Sequence, residues 1–71
     1  MDATTKRFKE RIQRLIDFLA DKVPDLDLDY IEGTFANAEN YYEMLEAENM
    51  CLSSALLNKV QVPDHLLLAE T

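Results

Sequence analysis

Seventy-one residues with a formal net charge of −7 make at most one small domain, and a core of that size is rarely stable without a disulfide, a metal or a partner subunit. Cys51 is the only cysteine and His65 the only histidine, which excludes an internal disulfide, leaves too few ligands for a closed zinc site and gives no reason to expect a cofactor. Self-association is then the favoured source of added stability, and the acidic balance argues against general binding to nucleic acid, which relies on neutralising phosphates.

The stretch from Met1 to Arg7 has no signal-type apolar region, and no apolar run approaches the roughly 20 residues needed to span a bilayer. The expectation is a soluble cytoplasmic protein without membrane association. Charge is unevenly distributed. Lys6, Arg7, Lys9, Arg11 and Arg14 crowd the start, whereas only Lys22 and Lys59 stand against the many carboxylates after Leu15.

The first predicted helix covers about 4–23, capped by Thr4 or Thr5. Phe8, Ile12, Leu15, Ile16, Leu19 and Val23 fall within an arc of roughly 100°, about what one neighbouring helix covers. Pro24 ends the helix by excluding its predecessor from the helical region. Arg7, Arg11, Arg14 and Phe18 share one flank at i, i+4, i+7 and i+11, an arrangement that could read phosphates and stack on a base. The more ordinary reading pairs these arginines within the chain, with Glu10 and Asp17 around Arg14 and with Glu43 and Glu46 across the hairpin.

Asp27 is a good N-cap for a second helix predicted over about 27–60, and Leu26 can staple onto Ile31. Leu28, Ile31, Phe35, Ala38, Tyr42, Leu45, Asn49, Leu52 and Leu56 alternate as a and d positions of a continuous heptad pattern. In this reading Tyr41 and Tyr42 contribute core area. Gly33, the only glycine, sits on the exposed side and excludes a glycine-rich phosphate loop. Adding Tyr30, Tyr41, Met44, Cys51 and Ala55 widens the apolar arc to roughly 160°, more than one helix can cover. A helix of that length also overhangs the first, and Met50, Cys51, Leu52, Ala55, Leu56, Leu57 and Val60 make the overhang apolar. These two excesses predict a homodimer in which antiparallel hairpins form an all-α four-helix bundle, with Leu45, Asn49, Leu52 and Leu56 in the self-association seam and Asn49 a candidate for fixing register. The competing reading breaks the helix at Ser53 and Ser54 and folds the following residues back.

A tail or short helix is predicted over 63–70, opened by Pro63. Leu66, Leu67 and Leu68 either cap the bundle or meet a partner. Opposite the seam, Glu32, Glu39, Glu43 and Glu46 make an acidic face suited to a basic protein. Cys51 reads as a small buried hydrophobe, and it and His65 lack an orienting neighbour for catalysis. The expected function is therefore that of a non-catalytic regulatory or adaptor protein. It would bind a protein partner through the acidic face or the C-terminal leucines. The alternatives are a nucleic-acid-binding dimer using the Arg7, Arg11 and Arg14 flank, or a purely structural oligomerisation subunit.

Overall fold

Three α-helices and one 3-10 turn follow one another in the computed structural model, which describes residues 3–68: α1 (Ala3–Lys22), α2 (Leu28–Asn37), α3 (Tyr41–Leu57) and the turn at Asp64–Leu66. No strand occurs among the described residues. The expected all-α class is observed, but the predicted second helix over 27–60 is two helices separated at residues 38–40.

Local chemistry explains each boundary. Thr4 and Thr5 lie inside the first turn of α1, so neither is its N-cap. At the other end, Lys22 is the last helical residue, and Val23 folds its side chain into the core just before Pro24. Asp27 caps α2 as expected, its carboxylate accepting the Tyr30 N–H at 3.2 Å. The break after α2 carries a reciprocal cap that resembles a capping box shifted by one residue: Asn40 Oδ1 accepts the Glu43 N–H at 2.9 Å, and Glu43 Oε1 accepts the N–H of Glu39, the residue before the cap, at 2.8 Å. Ala38 and Asn40 are both extended, and the cap stabilises the start of a new helix instead of continuation of the old one.

Ser53 and Ser54 do not interrupt α3. The helix stops at Asn58 with a Schellman arrangement, in which the Val60 N–H bonds the Ala55 carbonyl at 2.9 Å and the Lys59 N–H bonds that of Leu56 at 3.2 Å. Lys59 takes the left-handed conformation this requires, with φ 56°.

The core forms where α1 meets α3, the most extensive interface in the molecule. Large residues on α1 (Ile12, Leu15, Ile16 and Leu19) face small ones on α3 (Ala47, Cys51 and Ala55), with Met44 between them, and all are buried. Small residues let the α3 backbone approach α1 closely, and full burial of each Ile or Leu contributes about 1.5–3 kcal/mol.

This core corrects the heptad phase predicted for the second half of the chain. Tyr42 and Leu56 are each 81 % exposed, Asn49 is exposed, and Leu45 and Leu52 are only half-buried. The buried positions lie one residue earlier, because the break at 38–40 rotates α3 relative to the pattern carried through from α2. Tyr41 is partly exposed and packs on Phe8 with ring centroids 5.2 Å apart.

The tail then returns across the same core. Leu66 and Leu68 are buried, Leu67 is half-buried, and Val60 and Val62 pack against the cluster. Positions 69 and 70 of the predicted tail lie outside the described residues. The radius of gyration, 11.3 Å, is close to the about 11 Å expected of a compact chain of this length.

Candidate functional site

The α2–α3 pair carries two surface hollows. Along α3, Glu43, Glu46, Met50, Ser53, Ser54 and Leu57 recur at helical spacing beside α2, a stripe about 21 Å long from end to end. Its two ends differ in character.

At one end, a hollow of about 300 Å³ is lined by Asp27, Tyr30 and Ile31 at the start of α2 and by Met50, Ser53, Ser54 and Leu57 of α3. Tyr30 is 66 % exposed and Leu57 83 % exposed, so two large apolar side chains flank an open recess. At the other end, a smaller hollow between Thr34, Asn37 and Ala38 is closed by the carboxylates of Glu43 and Glu46. The helical break sets this surface, because it folds α3 back beside α2 with Cys51 and Ala55 turned to the core and Leu56 and Leu57 left outward. Sequence reading grouped Tyr30 and Leu57 with the surplus apolar area but did not bring them together. The Asn40-Tyr41-Tyr42-Glu43 capping pattern is the signal that would have done so.

The predicted acidic residues Glu32, Glu39, Glu43 and Glu46 are all exposed. Glu43 and Glu46 share one hollow, and Glu43 also has the structural task of capping α3. Of the C-terminal leucines, expected either to cap the bundle or to meet a partner, Leu66 and Leu68 are buried within the chain, as capping requires. Their apolar area is already covered by α1 and α3. Of the self-association residues, Leu56 presents a fully outward side chain, Asn49 is solvated, and Leu45 and Leu52 are partly covered within the chain.

The arginine flank is divided by the fold. Arg11 donates through Nη1 to the His65 carbonyl at 2.5 Å and so holds the tail against α1. Phe18 packs against the core, with the Lys22 Nζ 5.1 Å from its ring centroid. Arg7 and Arg14 are exposed. The expected pairing of Arg14 with Glu10 and Asp17 is not formed, since Asp17 instead accepts from Gln13 at 3.0 Å. Among the described residues the one ion pair is Lys22 with Asp21, at 3.2 Å.

Glu48 is a functional-looking group that sequence reading missed. It is 5 % exposed on the core face of α3, and its Oε2 accepts the Leu68 N–H at 2.6 Å. Cys51 lies one turn further on, fully buried, and its thiol is pushed up from 9.0 to about 11, first by burial and then by the Glu48 charge. At neutral pH it is a protonated core group, the opposite of an activated nucleophile. Among the described residues, no group of three or more His, Cys, Asp or Glu is placed to hold a metal ion, and no helix is long and apolar enough to cross a membrane. Comparison with known proteins finds no matching family model, no matching curated protein and no matching solved structure.

Proposed function

We propose that this chain is a small non-catalytic binding protein of regulatory or adaptor type, and that it docks a protein partner on the α2–α3 seam. One observation carries the reading: Tyr30 and Leu57, both largely exposed, flank an apolar recess whose continuation ends in Glu43 and Glu46. Apolar anchors beside a charged rim are the usual makings of a protein interface.

Self-association into a helical bundle is the second reading, favoured by Leu56, which stands 81 % exposed next to Leu57. A charge of −7 on each copy opposes it. The nucleic-acid alternative has less support, since Arg11 and Phe18 are both engaged within the fold.

Affinity capture from the native source with the wild-type chain and with Leu57→Asp, followed by reconstitution with the purified partner, tests the proposal. A partner that binds the wild type and is lost with Leu57→Asp, while the circular dichroism spectrum stays helical, supports it. Capture that survives Leu57→Asp but disappears with nuclease, or with Arg7 and Arg14 changed to Gln, overturns it in favour of nucleic acid.

A further inference from the structure

The seam has a direction. Its mainly apolar recess lies between the start of α2 and the end of α3, with the Asp27 carboxylate at its edge accepting the Tyr30 N–H as the cap of α2, and the paired carboxylates of Glu43 and Glu46 lie at the opposite end, where α2 gives way to α3. We infer that the partner segment is a helix of about four turns, apolar at one end and cationic at the other, which docks along the seam with its Lys or Arg end against Glu46 and its apolar end between Tyr30 and Leu57. This rests on the seam being the docking surface and adds the partner's chemistry and its polarity.

Charge complementarity selects this occupant. The recess needs an apolar anchor to cover Leu57 and Tyr30, which a uniformly basic segment does not supply. The Glu43 and Glu46 end repels an acidic segment and favours a cation brought within reach. A cationic amphipathic helix already packs on another face of the same helix pair. Helix α1 is itself cationic and amphipathic, and it packs its apolar stripe against α3 while Lys9 places its Nζ 5.6 Å from the ring centroid of Phe35 on α2. A second copy of the chain suits the surface less well, because the chain as a whole is strongly acidic.

The test uses the full chain, labelled for NMR, and synthetic helical peptides. The first carries leucines at i, i+3 and i+7 in one half and lysines in the other; the second replaces lysine by glutamate; the third replaces leucine by alanine. The first should bind and shift the amides of Ile31, Ser53 and Leu57. A spin label at its cationic end should broaden Thr34 and Glu46 more than Leu57. Glu46→Lys should weaken binding roughly tenfold, whereas Glu32→Lys, the same change in net charge away from the seam, should weaken it no more than about twofold. Both positions are exposed and neither is a cap, so both variants remain folded.

Equal binding of the lysine and glutamate peptides at the seam, or a spin label that broadens Leu57 most, overturns the inferred polarity and leaves the docking surface standing. Shifts that appear at Ile31 and Leu57 on concentrating the protein alone, with a dimer in sedimentation, replace the cationic helix by a second copy. If a captured partner binds Leu57→Asp as tightly as wild type and no peptide moves the seam, the docking surface and its inferred occupant fall together.

Discussion

The carboxylate of Glu48 and the backbone N–H of Leu68 meet at 2.6 Å in the buried interior. Twenty residues of chain separate them, and between them the backbone leaves α3, reverses at Lys59 and comes back along α1. A buried polar atom requires a partner. Here the partner is the tail, so one hydrogen bond both satisfies the carboxylate and fixes where the chain returns.

Glu48→Ala should therefore destabilise the fold by about 1–3 kcal/mol, since it leaves the Leu68 N–H unsatisfied. Glu48→Gln keeps an acceptor of the same shape and should cost less. Urea denaturation measures both, and amide exchange at Leu68 should accelerate in the alanine variant before global unfolding. Because Glu48 raises the Cys51 pKa, Glu48→Gln should also lower that pKa.

Met44→Ala, in the core face of α3, should cost about 2–5 kcal/mol, as truncation of a buried methionine does. Leu56→Ala should change stability by less than about 0.5 kcal/mol, since its side chain is solvated in the single chain. Thermal melts of the two variants decide the phase of α3. Equal losses would restore the pattern in which Leu56 is a core residue.

The division between what was legible in the residues and what was not follows from this phase. The stripe Ile12, Leu15, Ile16 and Leu19 is buried as its periodicity implies, and Asp27 caps the next helix as its position before an apolar run implies. The continuous heptad from Leu28 to Leu56 misled because its period survives a break: Ala38 is buried, Tyr42 follows it by four, and apolarity alone cannot see that Asn40 and Glu43 cap a new helix between them. Apolarity also ranks Leu52 and Leu56 above Ala47 and Cys51, whereas packing against the bulky face of α1 favours the smaller residues. The docking seam inherits that difficulty, since Tyr30 and Leu57 become neighbours only after α3 turns back on α2. Glu48 was hidden for a related reason. A glutamate reads as solvent-facing, and only the return of the tail supplies the N–H that makes its burial tolerable.

Asn40→Ala should cost about 1 kcal/mol by removing the acceptor for the Glu43 N–H. The effect should be local, with loss of amide protection concentrated at the first turn of α3. Hydrogen exchange followed by NMR checks it. Unchanged protection at Glu43 would mean that the cap does not determine the break.

Two backbone positions are open to stabilisation. Gly33 lies inside α2 with nothing within 4 Å of where a Cβ would sit, so Gly33→Ala should add about 0.5–1 kcal/mol through helix propensity. Lys59 adopts φ 56°, which glycine takes without the steric cost of a side chain, and Lys59→Gly should add about 1 kcal/mol. Denaturation midpoints of the single and double variants test both. The sites have no shared partner, so the gains should add.

The Cys51 thiol sets a pH dependence whose sign follows from burial. Its pKa is raised to about 11 in the folded chain from 9.0, so the folded state holds the proton more tightly than the unfolded one. The stabilising contribution is complete below pH 9 and is lost as pH rises toward 11. By pH 10.5 the loss should reach about 2 kcal/mol. Tyrosine and lysine titrate in the same range, so the measurement is a difference: stability at pH 8 minus stability at pH 10.5 should be larger in the wild type than in Cys51→Ala by that amount. The same protonated, buried thiol should react with iodoacetamide at pH 8 only as fast as the chain opens, with labelling accelerated by urea. Equal pH dependence in the two proteins, or rapid labelling without denaturant, would place Cys51 in contact with solvent and remove it from the α1–α3 core.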